Sequence, residues 1–175
     1  MDRDAGTAAL QLADARVDVV ALACLVATMS QGVGHHRASE EELGKILESE
    51  VGMQVPIVTS AGALVEALNY LGAKRVAVIT PYMKPLTDTV CGYIEHEGYR
   101  VVDSISLEVP DNPAVGRLDP QQLIELAQRV DTSQADALVL SACVQMPSLP
   151  VLQQVQDQFD IPVLSASVAT APGRS

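Results

Sequence analysis

Short apolar runs alternate with amphipathic segments along the whole chain, and this alternation predicts an α/β protein. The predicted strands are residues 17–23, 55–59, 75–80, 99–107, 137–141 and 162–165. The predicted helices are residues 5–15, 39–50, 61–71, 121–130, 147–159 and a segment after Pro85 that ends at His96. Because strands and helices alternate and the strands are nearly continuous apolar runs, the sheets should be mainly parallel with flanking helices.

Two stretches of the chain repeat one pattern, and each contains a cysteine. Residues 17–30 and 135–148 both run an apolar strand into a cysteine, and residues 55–63 and 161–169 both give a strand, a serine and small residues. Such a repeat predicts two lobes related by a pseudo-twofold axis, with an active site in the cleft between them. We expect lobe 1 at 1–70, lobe 2 at 71–160, and a strand within 161–175 that returns toward lobe 1.

Both ends are short relative to this repeat. The first half has no counterpart of the strand at 75–80, and the last strand runs into residues 168–175 without a closing helix. Either the chain is a fragment or flanking segments exist outside this sequence, and the sequence leaves both possibilities open.

Composition narrows the class of protein. The 175 residues are enough for a substantial core, and 48% hydrophobic but only 3% aromatic residues indicate packing by Val, Leu, Ile and Ala. The net charge of −11 disfavours nucleic acids and anionic membranes as partners. The sequence has no apolar run of membrane-spanning length and no signal-peptide pattern. Three widely spaced cysteines without a CxxC pair fit neither a zinc site nor a disulfide scaffold, so we expect a reducing cytoplasm and no metal.

Cys24 and Cys143 are the candidate reactive groups. A lone cysteine after a buried strand is more often a packed core residue, but two cysteines at matching places in a repeat favour a two-thiol active site. Each should lie at the carboxyl end of a strand, where α/β sheets bind ligands. The backbone N–H groups that follow each cysteine would favour a thiolate; they belong to Leu25, Val26, Val144 and Gln145. Cys91 has no repeat partner, and we expect it to be packed in a helix.

Four other residues have alternative interpretations. The Tyr82 ring either packs over its loop with the hydroxyl in water or donates to a substrate oxygen. Asn112 either forms an Asx turn in a loop or binds a ligand. His35 and His36 have no spaced third ligand, so we expect a solvated loop before a helix capped at Ser39.

Five segments together resemble the maleate isomerases, a family of the aspartate/glutamate/hydantoin racemase superfamily. The segments are ALACLVATMSQG, TSAGALVEAL, RVAVITPYMKPL, EVPDN and LVLSACVQMPSLP. The resemblance extends from about residue 15 to residue 169. Amino-acid racemases usually place Asn or Thr after their cysteines, whereas Leu25 and Val144 follow here, and arylmalonate decarboxylases typically keep one cysteine of the two.

The resemblance implies an enzyme that isomerises maleate to fumarate through a covalent succinyl-cysteine, without a cofactor. By that resemblance, Cys24 is the nucleophile and Cys143 is the proton donor. The substrate would contact Cys24 and the other positions that match the family's binding residues, which are Leu25, Val26, Tyr82, Asn112, Val144 and Gln145. The protein would be a cytoplasmic homodimer. The family's N-terminal strand with a substrate-binding asparagine, and its C-terminal helix, have no counterpart in this sequence.

Two other functions remain open at this stage. The same fold could support a cofactor-independent racemase in which the two thiols act as opposed acid and base. Alternatively, the chain could bind the substrate without turning it over.

Overall fold

The computed structural model describes residues 2–171 and shows an α/β architecture. The strands in this range are β1 (Val20–Leu22), β2 (Ile57–Thr59), β3 (Arg75–Thr80), β4 (Arg100–Ser106), β5 (Ala137–Ser141) and β6 (Val163–Ser165). The helices are α1 (Asp2–Ala13), α2 (Leu25–Met29), α3 (His35–Val51), α4 (Ser60–Tyr70), α5 (Lys84–His96), α6 (Asn112–Val115), α7 (Gln122–Arg129), α8 (Leu152–Gln156) and α9 (Ala166–Thr170). The predicted α/β class is confirmed.

Strand pairing in the described residues is parallel throughout, as predicted. One sheet has four strands in the order β4-β3-β5-β6, and a second sheet pairs β1 with β2. Every residue of β5 is buried, which explains why this strand reads as a continuous apolar run. β3 and β5 begin and end at the residues that the sequence predicted.

The sequence repeat is visible in the strand registers. Leu22 of β1 pairs with Thr59 of β2, and Ser141 of β5 pairs with Ser165 of β6. The Thr59 and Ser165 side chains each accept a hydrogen bond from a first-turn N–H group of the helix that follows. The similar sequences at 55–63 and 161–169 therefore build the same strand, cap and helix arrangement.

The last strand belongs to the larger sheet. β6 pairs with β5 and extends the four-stranded sheet, and the return of this segment toward lobe 1 stays a prediction. It is α9, after β6, that packs against α4. The sequence predicted that residues 168–175 follow the last strand without a closing helix. Of these, residues 172–175 lie outside the described residues. The lobe boundaries at 70 and 160 stay a prediction.

Two apolar cores lie beside the two sheets. The larger core surrounds the four-stranded sheet and includes Leu64, Ile79 and Leu138. The smaller core joins α1, β1 and α3 through Ala9, Val20, Leu43 and Leu47, among others.

The start of α3 corrects two expectations. The helix begins at His35, after Gly34 with a left-handed φ of 71°, so Ser39 is a buried residue inside the helix and not its cap. His36 is only 4% exposed and does not belong to a solvated loop. A left-handed residue favours glycine, which allows the chain to turn directly into the helix four residues earlier than predicted.

His36 joins α3 to α5 through a buried hydrogen-bond pair. The Tyr93 hydroxyl accepts from the His36 backbone N–H at 3.2 Å and lies 2.5 Å from the imidazole Nδ1. An imidazole protonated only at Nε2 accepts the Tyr93 hydroxyl proton at Nδ1, whereas one protonated at Nδ1 donates to the hydroxyl, so the tautomer sets the direction of this hydrogen bond. The next residue, Arg37, forms an ion pair with Glu97. Glu97 is the residue that follows α5, and its carboxylate is largely buried.

This arrangement predicts a loss of stability in mild acid. Burial, and secondarily the Arg37 charge, lower the pKa of His36 from 6.5, whereas Glu97, Glu40 and Glu66 oppose the shift. The folded protein therefore binds a proton on His36 less readily than the unfolded chain does. The stability that comes from the neutral, buried His36 is complete above pH 6.5 and is lost as the pH falls below it. Urea unfolding between about pH 7 and pH 5 should show a falling free energy of unfolding.

His36→Gln provides the control, because it keeps a polar side chain that does not titrate. Its free energy of unfolding should fall less steeply over the same pH range. Identical pH slopes for the two proteins would contradict the role assigned to His36. The Glu97 carboxyl, whose pKa is lowered first by its hydrogen bond with Arg37, contributes at more acidic pH in both proteins.

Candidate active site

One cavity of about 340 Å³ opens where the chain leaves β1, β3 and β5. The eight residues singled out from the sequence all line it: Cys24, Leu25, Val26, Tyr82, Asn112, Cys143, Val144 and Gln145. Its volume is in the range typical of small-molecule sites. The sequence did not identify the apolar residues that complete the wall, among them Met83, Leu86, Val109 and Val115.

Cys24 lies two residues after the end of β1 and is the residue that precedes α2. It has an extended backbone (φ −139°, ψ 92°), and its side chain is exposed and does not cap the helix. The N–H groups of Leu25 and Val26 belong to the first turn of α2, where a helix has no acceptor of its own. Within residues 2–171 they donate to no protein atom. The thiol therefore lies beside two available N–H donors.

Cys143 lies two residues after the end of β5, as Cys24 does after β1. Cys143 is only 5% exposed. The buried Ser141 hydroxyl donates to the Cys143 carbonyl oxygen at 2.8 Å. The N–H groups of Val144 and Gln145 also have no acceptor among the described residues. Both cysteines are thus followed by unpaired backbone donors, although no helix starts directly after Cys143.

The Tyr82 side chain lies close to both thiols. Its hydroxyl is buried and donates to the Ala142 carbonyl at 3.3 Å, so the alternative of a hydroxyl in bulk water is excluded. Burial raises the pKa of Tyr82 far above its usual value. The nearby Cys143 thiol adds to this increase through its charge and a hydrogen bond, and Cys24 adds to it through its charge. The phenol is therefore a neutral donor at any working pH.

Asn112 lies at the first position of α6, and Asp111 before it makes no side-chain cap. Of the two alternatives for Asn112, the Asx turn is absent from the described residues, because the Asn112 side chain forms no hydrogen bond there. The Gln145 side-chain amide donates to the Asn112 backbone carbonyl at 2.9 Å, which ties this loop to the segment after Cys143. The Asn112 side chain is exposed and has no hydrogen-bond partner within residues 2–171, so its amide is available to a ligand.

The cavity wall contains no Lys, Arg, His, Asp or Glu. Its polar atoms belong to two thiols, a phenol, two side-chain amides and the backbone. An anion would therefore be bound by oriented N–H and O–H dipoles, which concave runs of backbone amides can do. Across residues 2–171 no three His, Cys, Asp or Glu side chains are grouped to hold a metal ion, and no helix is long and apolar enough to cross a membrane.

Cys91 is separate from this site. It is half-buried on α5 and does not line the cavity, and burial raises the pKa of its thiol while a hydrogen bond with Ser104 opposes the shift. These features fit the packed cysteine that the sequence predicted.

Comparison with known proteins gives close similarities over nearly the whole chain. The family profile described as arylmalonate decarboxylase matches residues 3–173. The maleate isomerase of Geobacillus stearothermophilus is 55% identical over 170 residues, which cover 97% of this chain and 67% of that protein. The chain thus spans about two thirds of the length of this relative.

Two solved structures are similar in fold and sequence. A crystal structure of a mutant maleate isomerase from Pseudomonas putida with maleate superposes with a TM-score of 0.94 at 52% identity, covering 97% of this chain and 67% of the other. A Nocardia farcinica maleate cis-trans isomerase mutant with a covalently bound succinylcysteine intermediate gives 0.93 at 44% identity, with 97% and 69% covered.

The exposure of the three thiols predicts an order of alkylation. A limiting amount of iodoacetamide should label Cys24 first, because Cys24 is exposed while Cys91 is half-buried and Cys143 is buried. Peptide mass spectrometry of the labelled protein measures the order, and Cys24→Ser is the control that should lose the fast phase. Faster labelling of Cys143 than of Cys24 would contradict this arrangement.

Proposed function

The chain belongs to the arylmalonate decarboxylase family and groups within it with the maleate isomerases, and we propose that it isomerises maleate to fumarate. The observation that carries the proposal is the convergence of Cys24, Cys143 and Tyr82 on one cavity that also contains unpaired backbone donors. A cis-dicarboxylate needs two anion sites with a reactive carbon between them. The N–H groups after Cys24 and those after Cys143 provide two such sites.

Substrate binding in this proposal depends on dipoles. Each carboxylate accepts from the backbone N–H groups that follow one cysteine, and the Asn112 amide is a further donor. The Tyr82 phenol, whose single proton is held by the Ala142 carbonyl, lines the cavity wall beside them. Hydrogen bonds to charged acceptors are stronger than neutral ones, and an apolar wall excludes competing water. A chain with a net charge of −11 can thereby bind a dianion without a basic side chain in the cavity.

The first chemical step is covalent. The Cys24 thiolate adds to one alkene carbon, and the alkene electron pair moves toward the other carbon and its carboxylate. The Cys143 thiol then delivers a proton to that second carbon, which gives a succinyl thioether on Cys24 and a thiolate on Cys143. Donors near the carboxylate stabilise the charge that develops on it.

The second stage reverses the first after a rotation. The former double bond is now a single bond, which turns freely compared even with a peptide bond and its barrier of about 18–20 kcal/mol. The Cys143 thiolate removes the proton, and the electron pair reforms the double bond as the Cys24 thiolate leaves. The product is fumarate, both thiols return to their starting state, and the cycle needs no redox partner or cofactor.

We also propose that the protein works as a homodimer in the cytoplasm. Three free thiols suit a reducing compartment, and size-exclusion chromatography with light scattering tests the dimer.

Turnover is tested directly by proton NMR. The alkene signal of maleate should decay while that of fumarate grows, without added metal or cofactor. Racemisation of aspartate without maleate turnover would replace this proposal with the two-thiol racemase. Maleate binding without any turnover would leave only a binding function.

Single cysteine variants separate the two roles. With maleate, Cys143→Ser should accumulate a succinyl adduct on Cys24, because water can protonate the second carbon slowly but no Cys143 thiolate is present to remove that proton again. Cys24→Ser should form no adduct. Each variant should lower turnover by about 10³-fold or more, while Cys91→Ser should remain near the unsubstituted rate. Intact-protein and peptide mass spectrometry measure the adduct, and an adduct on Cys143 would reverse the assignment.

A further inference from the structure

Ser141 is the last residue of β5 and lies behind the cavity wall. It is wholly buried and does not line the cavity. Its hydroxyl donates to the Cys143 carbonyl oxygen at 2.8 Å across two residues. The catalytic steps proposed above do not use this hydroxyl.

The hydrogen bond fixes the orientation of the peptide unit between Cys143 and Val144. A trans peptide is planar, and its C=O and N–H groups point in opposite directions. Because the Cys143 carbonyl is held toward a hydroxyl in the protein interior, the Val144 N–H points away from that interior. Val144 lines the cavity, and its N–H has no acceptor within residues 2–171.

A second hydroxyl fixes the preceding peptide unit. Tyr82 donates to the carbonyl of Ala142, whose own N–H donates to the Ile79 carbonyl at 2.9 Å. Two consecutive carbonyls after β5 are thus each bound by a hydroxyl. The segment is held rigidly although it forms neither helix nor strand.

We propose that Ser141 is a positioning residue that aims the Val144 N–H at a carboxylate of the substrate. This inference rests on the proposed function, because the carboxylate belongs to maleate. Without the hydroxyl, the Cys143 carbonyl loses its partner in a buried place, and the peptide unit is free to turn toward other donors. The Val144 N–H then no longer holds a fixed direction, and the dicarboxylate loses one preorganised donor.

Paired serine variants test the proposal. Ser141→Ala should raise the KM for maleate and the inhibition constant of succinate, an unreactive dicarboxylate, each by about tenfold, with a smaller change in kcat. Ser141→Thr keeps a hydroxyl and should restore both constants to within about threefold of the unsubstituted protein.

Ser165→Ala is the matched control. Ser165 pairs with Ser141 in the strand register, is equally buried and caps α9, outside the cavity. It should lower the melting temperature without changing either constant. Equal constants in Ser141→Ala and the unsubstituted protein, or equal increases in both alanine variants, would overturn the proposal.

A measurement on the unsubstituted protein remains decisive if Ser141→Ala fails to fold. In ¹⁵N-labelled protein, titration with succinate should shift the Val144 amide proton downfield as it binds a carboxylate. An amide signal that does not move at any succinate concentration would overturn the inference. Absence of maleate turnover together with this shift would count against the proposed isomerisation alone.

Discussion

The parallel pairing of β3 with β5 is the interaction on which the rest of the site depends. Val76, Ala77 and Val78 pair with residues 137–139, and the Ala142 N–H continues the contact by donating to Ile79. Parallel strands end at the same edge, so Tyr82 after β3 and Cys143 after β5 necessarily lie side by side. The buried Tyr82 hydroxyl then reaches the Ala142 carbonyl and holds the segment that carries the thiol.

The site obtains its polarity from the backbone. The backbone N–H groups after both cysteines have no acceptor in the described chain, so they are available to a ligand in the cavity. Charged side chains are absent from the wall, which avoids the cost of burying ions and leaves the donors at fixed positions. A cavity built in this way favours a small anion and suits thiolate chemistry.

The part of the structure least visible in the sequence is the contact between α3 and α5. His36 and Tyr93 are 57 residues apart along the chain, and no local sequence pattern connects them. The acidic run after Ser39 resembled a helix start, although the glycine before His35 had already begun the helix. The capping pattern at Ser39 was therefore misleading, because Gly34 in a left-handed conformation and the buried contact of His36 with Tyr93 decided where α3 begins.

The sequence by itself determined the α/β class, the bounds of β3 and β5, and the choice of Cys24 and Cys143, because apolar runs and an internal repeat are local patterns. It also pointed to six other cavity residues, through the backbone N–H groups and polar side chains that they carry and through the resemblance. Only the tertiary structure decided that β6 extends the four-stranded sheet, that Tyr82 lies by both thiols and that Ser141 holds the Cys143 carbonyl. Strand order and side-chain hydrogen bonds depend on the packing of distant segments, and hydrophobic periodicity does not encode which segments meet.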